Sequence, residues 1–80
     1  MAWIYILRGS SGRHYIGSAL DLRARFAQHL RGHAATTKRL GDRLEIVASK
    51  EVQTLAEARK IERDLKRKKN PQLAIYFLRQ

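Results

Sequence analysis

The N-terminal part of the chain alternates between β-prone segments and a short polar stretch. Residues 2–7 form an apolar run of β-branched and aromatic side chains, residues 9–12 are Gly-Ser-Ser-Gly, and residues 14–18 are again β-prone. This pattern predicts a β-hairpin whose turn lies over residues 9–12. Both faces of its strands carry apolar residues, so we expect helices to cover at least one face of the sheet.

A first helix is predicted to follow the hairpin. Asp21 can cap it, because an Asp side chain accepts hydrogen bonds from the free N–H groups of a first helical turn. Leu22, Phe26 and Leu30 follow at i, i+4 and i+8, a spacing that predicts an apolar stripe facing the core. Gly32 is well placed to end this helix.

The middle of the chain predicts a loop and then a third strand. Residues 33–43 are polar and basic without a clear period, which indicates a loop or one short helical turn. Leu44, Ile46 and Ala48 then alternate with three other residues, as in a strand, and those residues are Glu45, Val47 and Ser49.

Two further helices are predicted at the C-terminal end. Thr54 and Glu57 have the spacing of a capping box, which opens a helix through about Lys69. Asn70 and Pro71 end that helix and begin a short one, with Pro71 at its first position. Three large apolar residues are expected to dock this last helix on the core: Leu73, Tyr76 and Phe77.

The element order is therefore β-β-α-β-α-α. It predicts an α+β fold, a three-stranded and largely antiparallel sheet flanked by helices. The chain has 80 residues, which is enough for one domain with one core, so residues 1–80 are expected to form a single domain.

Charge points to a polyanionic partner. Seventeen Lys and Arg against seven Asp and Glu give a formal net charge of +10. This imbalance favours nucleic acid, although a solubilising surface or affinity for anionic lipid is the alternative.

Cysteine is absent, which excludes disulfides and thiolate chemistry. The apolar run at residues 2–7 is too short to span a membrane and lacks a signal-like charged start, so a soluble cytoplasmic protein is expected.

Glu62 is the most informative acidic residue. It falls on the apolar face of its helix, at the spacing of Ala58 and Leu65. An ionised carboxylate on a core-facing position is costly without a partner or a metal ion, and Mg²⁺ prefers such hard oxygen ligands. The alternative is an i, i+4 pair with Lys66, with Ile61 taking the core position.

Arg25 and His29 form a second candidate pair. They are four positions apart on the first helix and so project from one side of it, offering a cation and a titratable imidazole together. An Arg fork suits a phosphate, and the alternative is that Arg25 is one of many surface arginines.

The hairpin tyrosines give a weaker signal. Tyr5 and Tyr15 share a face only if the turn closes with an odd number of residues or contains a bulge, and strand tyrosines are usually packing residues. Gly17, within a strand pattern, predicts a bulge or a close approach by a backbone or ligand.

Additional basic residues are candidate phosphate contacts: Arg23, Arg31, Lys38, Arg39, Arg43, Lys66 and the basic run that follows it at residues 67–69.

Four motifs keep a specific order: Trp3-Ile4-Tyr5, Tyr15-Ile16-Gly17-Ser18, residues 21–29 and residues 57–66. Together they resemble the GIY-YIG nuclease domain, and most closely its small stand-alone bacterial members that resemble the N-terminal domain of the excinuclease C subunit. The first motif departs from the family by having Trp3 where a glycine is usual. Asn70 follows Glu62 too soon to match the asparagine that some members use, and is interpreted as a helix cap.

The resemblance implies a divalent-metal-dependent endonuclease, a hydrolase of nucleic-acid phosphodiesters. It assigns Glu62 as ligand of one Mg²⁺ or Mn²⁺ ion and Arg25 as the group that stabilises charge on the scissile phosphate. Tyr5 and Tyr15 would line the site, one of them helping to activate water, with His29 as the alternative or assisting base. DNA, single-stranded or branched, is the expected substrate ahead of RNA, with DNA repair or processing as the family-level role.

Two other functions remain open at this stage. One is a non-catalytic, basic DNA- or RNA-binding module that keeps the fold. The other is a protein-interaction or ribosome-associated accessory domain, supported by charge alone. The five candidate site residues taken together favour the enzyme, because a pure binding module has no need for a carboxylate facing its polyanion.

Overall fold

A computed structural model describes residues 1–31 and 43–80 of the chain. The elements are, in chain order, β1 (Ala2–Gly9), β2 (His14–Ala19), α1 (Leu22–Leu30), β3 (Leu44–Val52), α2 (Leu55–Lys68) and α3 (Pro71–Leu78). This confirms the predicted α+β fold and the order β-β-α-β-α-α. The loop predicted at residues 33–43 lies, apart from Arg43, outside the described residues.

The sheet has the strand order β2-β1-β3, and both strand pairs are antiparallel. In the β1–β2 hairpin, the Gly9 backbone N–H donates to the Arg13 carbonyl at 3.0 Å and the Gly12 N–H donates to the Gly9 carbonyl at 2.9 Å. Gly12 has φ +87°, the left-handed conformation that glycine adopts without strain. The loop between Gly9 and Arg13 therefore has an odd number of residues, so Tyr5 and Tyr15 lie on one face.

Both faces of the sheet are covered. The face that carries Ile4 and Ile6 packs against α2 and α3 and forms the larger cluster, with Ala58 and Leu65 from α2 and with residues from α3. The opposite face packs against α1 and forms a smaller cluster, whose members are Tyr5, Leu7, Ala19, Tyr15, Leu22, Phe26 and Leu44. The alternation of side chains along β1 thus separates a structural core from the face that carries the tyrosines.

The predicted docking face of α3 is wrong. Leu73, Tyr76 and Phe77 are 44%, 63% and 42% exposed, whereas Ala74 and Leu78 are 1% and 3% exposed and belong to the larger core cluster. The helix is rotated by one position relative to the prediction, which is about 100° of turn. A small residue such as Ala74 lets the helix backbone lie close to the sheet, and large side chains at that position would hold it away.

The apolar stripe predicted for α1 is only partly right. Leu22 and Phe26 pack in the smaller cluster, but Leu30 is 58% exposed. His29 takes the buried position at 4% exposure, because its ring fits between the tyrosines of the hairpin.

The alternation predicted for β3 is interrupted by a bulge. Ile6 pairs with Ala48 and Leu7 pairs with Ile46, so Val47 has no partner in the register. The bulge reverses the alternation, which leaves Ile46 37% exposed while Val47 packs against the larger cluster. Arg79 Nη2 donates to the Val47 carbonyl at 3.0 Å and supplies the hydrogen bond that the ladder lacks.

The predicted N-terminal helix caps are confirmed, and Gly32, predicted to end the first helix, lies outside the described residues. The side chains of Asp21, Thr54 and Asn70 each accept a backbone hydrogen bond at 3.1 Å, from the N–H groups three residues later. Such caps each contribute about 1 kcal/mol to helix stability. Among the described residues, none of the helices has the length and apolar character that crossing a membrane requires.

Candidate active site

Gly17 creates the space on which the site is built. Tyr5 pairs with Gly17 across the hairpin, and the Tyr5 ring lies directly over it. A Cβ atom at this position would lie 2.5 Å from the Tyr5 hydroxyl oxygen and 2.9 Å from Cε1 of Tyr15. The close approach predicted for Gly17 is therefore made by two side chains of the sheet itself, and no larger residue fits.

Tyr5 and His29 form a buried hydrogen-bonded pair. The Tyr5 hydroxyl and His29 Nε2 are 2.9 Å apart, and the two residues are 1% and 4% exposed. Their ring centroids are 5.9 Å apart at a steep angle, and the half-buried Tyr15 ring packs against both, at 6.3 Å from Tyr5 and 5.1 Å from His29. The three rings form one rigid aromatic cluster that joins α1 to the hairpin.

Burial keeps both members of this pair neutral. Desolvation raises the pKa of Tyr5 well above its ordinary value, with smaller contributions from Tyr15 and Glu62, and Arg25 acts in the opposite direction. Desolvation, followed by the charge of Arg25, lowers the pKa of His29. At neutral pH a phenol therefore faces a neutral imidazole, and the Tyr5 hydroxyl donates to His29 Nε2 in the tautomer that carries its hydrogen on Nδ1.

Arg25 is an exposed cation at the mouth of this cluster. It lies one helical turn before His29 on α1, and its Nη1 atom is 3.5 Å from the Gln28 side-chain oxygen. Its charge acts on the pKa of both Tyr5 and His29. A guanidinium held here presents a planar set of donors to an anion that approaches Tyr5.

Glu62 lies on α2, and its charge also acts on the pKa of Tyr5. Ser18 Oγ donates to Glu62 Oε1 at 2.5 Å, and Lys66 Nζ donates to Oε2 at 2.7 Å. The Glu62 side chain is 19% exposed, and Ile61 packs against the larger core cluster. Glu62 is thus both the inward-facing acid and the i, i+4 partner of Lys66, so the two interpretations from the sequence are compatible.

A groove is lined by Arg25 and by Ser18, the hydrogen-bond partner of Glu62. It has a volume of about 340 Å³ and runs between the start of α1 and the start of α2. Its polar lining includes Ser18, Arg25, Gln28 and Arg59. An extended strand that follows the groove would therefore meet guanidinium groups from both helices.

Comparison with known proteins shows the family to which the chain belongs. A family model described as the GIY-YIG catalytic domain matches residues 1–74. The chain belongs to the GIY-YIG family. A protein of Streptococcus pneumoniae serotype 4 (strain ATCC BAA-334 / TIGR4), named UPF0213 protein, is 35% identical over 71 residues, which make up 89% of this chain and 72% of the relative. No solved structure matches the chain.

Membership of the GIY-YIG family implies nuclease activity, and nucleases of this family act on nucleic acid. Of the five residues that the resemblance selected, Tyr5, Tyr15 and His29 are in direct contact. Arg25 and Glu62 lie close enough for their charges to act on the pKa of Tyr5. The arrangement combines a neutral proton donor and acceptor pair, an exposed cation and a carboxylate. A cation near a site where a phosphate could bind can stabilise negative charge that develops on its oxygens.

The basic residues predicted as phosphate contacts are more scattered. Arg23 is exposed on α1, and Arg31 at its end donates from Nε to the Ala27 carbonyl at 3.3 Å, which caps the helix. Lys66 lies in the site itself, with its Nζ atom 5.5 Å from the centroid of the Tyr15 ring. Lys38 and Arg39 fall outside the described residues.

Three polar groups of the GIY-YIG site were not assigned a role from the sequence. Ser18 belongs to the second motif, but its contact with Glu62 joins strands and helices far apart in the chain. Gln28 and Arg59 line the groove, and each lies one helical turn from a predicted site residue, Gln28 from Arg25 and Arg59 from Glu62. That i, i+3 spacing is the signal that indicates them.

The donor set of the site fits the divalent metal ion that GIY-YIG nucleases typically use. Among the described residues there is no group of three or more His, Asp and Glu side chains that forms a complete metal cage. Mg²⁺ does not require one, since it is usually held by one or two carboxylates together with substrate phosphates and several waters. Glu62, partly exposed beside Arg25, is a carboxylate of that kind.

Proposed function

We propose that this GIY-YIG protein is a divalent-metal-dependent endonuclease that hydrolyses nucleic-acid phosphodiesters in the cytoplasm, with DNA as its main substrate. The observation that carries the proposal is the buried Tyr5–His29 hydrogen bond, 2.9 Å long, whose phenol lies close enough to Arg25 and Glu62 for both charges to act on its pKa. In a module that only binds nucleic acid, a buried phenol–imidazole pair would serve stability alone, whereas hydrolysis also needs a route for the proton of the attacking water.

The pair provides that route as a relay. A raised pKa makes Tyr5 a poor source of phenolate, and a lowered pKa leaves His29 unprotonated at neutral pH. In the proposed step, the Tyr5 hydroxyl transfers its proton to His29 Nε2 while its oxygen takes a proton from the attacking water. Proton transfer by a positioned side chain typically contributes about 10²–10⁴-fold to a rate.

Arg25 supplies the charge stabilisation. Its guanidinium, adjacent to Tyr5, binds the non-bridging oxygens of the phosphate as negative charge builds up on them. Glu62 would hold the metal ion, and Ser18 orients its carboxylate through Oε1. When bound, the ion would supply Lewis-acid polarisation of the phosphate and a lower pKa for bound water.

Charge and shape support a nucleic-acid substrate. The net charge is +10, and Arg25 and Arg59 line a single groove beside Glu62. The groove is open, as an extended polyanion requires. Binding is therefore expected to weaken steeply with salt, because each neutralised phosphate releases condensed counterions.

A cleavage assay with matched carboxylate variants tests the proposal. The protein is incubated with labelled single-stranded DNA, branched DNA and RNA, with Mg²⁺ or Mn²⁺ and with EDTA. Glu62→Ala is compared with Asp64→Ala, which removes an exposed carboxylate from the same helix. We expect metal-dependent cleavage by the wild type and by Asp64→Ala, strongest on DNA, and none by Glu62→Ala. Cleavage that is absent in every wild-type sample, or that persists in Glu62→Ala, contradicts the proposal.

A further inference from the structure

Both oxygens of the Glu62 carboxylate are already engaged. Ser18 Oγ donates to Oε1, and the Lys66 ammonium donates to Oε2 at 2.7 Å. The same ammonium lies 5.5 Å from the centroid of the Tyr15 ring, within the range of a cation–π contact. Lys66 is therefore held at the site by two partners, a carboxylate and an aromatic face.

These two groups have different consequences for a metal ion at Glu62. Ser18 is an uncharged donor on one oxygen, so it fixes the orientation of the carboxylate without adding charge. The Lys66 ammonium is a positive charge in direct contact with the other oxygen. Two cations at contact distance on one carboxylate repel each other strongly, so a divalent ion and this ammonium compete for the same oxygen.

Lys66 is free to move away. Its side chain is 48% exposed and reaches Glu62 from the next turn of the same helix. A lysine ammonium sits on a flexible four-carbon stem, and an exposed i, i+4 ion pair contributes little to stability. The contact is thus strong enough to occupy the carboxylate and weak enough to be broken.

From this arrangement we propose that Lys66 is a built-in competitor of the metal ion, which holds the Glu62 carboxylate in the free protein and must leave before metal binds there. The inference rests on the proposed role of Glu62 as metal ligand. It implies that the free protein binds divalent metal weakly because of Lys66, and that any group that draws the ammonium away, such as a phosphate of the substrate, raises the affinity for the metal.

Metal affinity of the free protein tests the inference directly. Mn²⁺ binding is measured by electron paramagnetic resonance, without nucleic acid, for the wild type, Lys66→Met, Lys66→Arg and Lys60→Met. Lys60 is exposed on the same helix, so Lys60→Met makes the same change in net charge away from Glu62. We expect Lys66→Met to bind Mn²⁺ about threefold to tenfold more tightly, since both the ion pair and a nearby like charge are removed. Lys66→Arg and Lys60→Met are expected to stay within about twofold of the wild type.

The outcomes separate this inference from the proposed function. If the wild type and Glu62→Ala bind Mn²⁺ equally, Glu62 is not a metal ligand and both proposals fail. If Glu62→Ala binds more weakly than the wild type but Lys66→Met binds no more tightly than Lys60→Met, the metal site stands and the competition is refuted. Urea unfolding midpoints of all variants establish that each is folded under the conditions of the titration.

Discussion

Removal of the Tyr5 hydroxyl is the most direct test of the buried pair. In Tyr5→Phe the ring keeps its place over Gly17 and against Tyr15, because only the oxygen that faces His29 is lost. A buried hydrogen bond between neutral groups contributes about 0.5–1.5 kcal/mol, and a buried polar atom that loses its partner costs about 1–3 kcal/mol. We expect Tyr5→Phe to lower the free energy of unfolding by about 1–2 kcal/mol.

The same substitution removes the proposed proton relay. With no hydroxyl, the attacking water has no route to His29, so the single-turnover cleavage rate is expected to fall by about 10²–10⁴-fold. In a domain of this size, each kcal/mol of lost stability lowers the Tm by roughly 4–8 °C. An assay at 20 °C therefore compares folded proteins, and the change in rate reports on chemistry.

Tyr76→Phe is the matched control, because Tyr76 is 63% exposed and its hydroxyl lies outside the site. Urea denaturation and single-turnover cleavage at fixed Mn²⁺ are measured for both variants and the wild type. Tyr76→Phe is expected to match the wild type in both. A Tyr5→Phe protein that cleaves at the wild-type rate would refute the relay, and one with unchanged stability would show that the Tyr5–His29 bond contributes nothing net to folding.

Three further predictions concern pH, the glycine of the hairpin and the last helix. Burial lowers the pKa of His29 below the value of about 6.5 in the unfolded chain, so the unfolded chain binds the proton first as pH falls. The contribution of His29 to the free energy of unfolding is therefore complete above about pH 6.5. Below that pH it decreases by at most about 1.4 kcal/mol per pH unit. Urea unfolding at a series of pH values should show a smaller slope in His29→Gln. Gly17→Ala places a Cβ 2.5 Å from the Tyr5 hydroxyl, and we expect it to cost about 1–3 kcal/mol in urea unfolding and to abolish cleavage; a wild-type rate would contradict the packing described here. Leu73→Lys should change the free energy of unfolding by less than about 0.5 kcal/mol, whereas Ala74→Lys, which buries a charge, should prevent cooperative thermal unfolding near the wild-type Tm.

Local signals in the sequence were sufficient to predict the helices, strands and turns of the fold. The caps at Asp21, Thr54 and Asn70 and the glycine-rich turn act within a few residues, so their outcome does not depend on the rest of the chain. The rotation of α3 was not predictable in this way. Residues 73–78 are apolar almost all round the helix, and the choice of Ala74 over Leu73 is made by how closely the backbone can approach the sheet.

The site was predictable only in parts. Spacing along one helix paired Arg25 with His29 and marked Glu62 as an acid in an apolar pattern, because helical periodicity is local. The contact between Tyr5 and His29 joins β1 to α1, and that between Ser18 and Glu62 joins β2 to α2. Such contacts depend on tertiary packing, so only the resemblance to the GIY-YIG family connected these residues before the structure did.

The two faces of the sheet bury clusters of different size, and this affects which helix opens first. Helices α2 and α3 share the larger cluster, whereas α1 rests on the sheet mainly through Leu22, Phe26 and His29. Elements with few buried apolar contacts open at lower free energy than the global transition. Amide hydrogens of α1 should therefore exchange with deuterium before those of β1 and α2. Each such opening carries Arg25 and His29 away together while Tyr5 and Glu62 stay on the sheet and α2, so the site is assembled and dismantled by the movement of one helix.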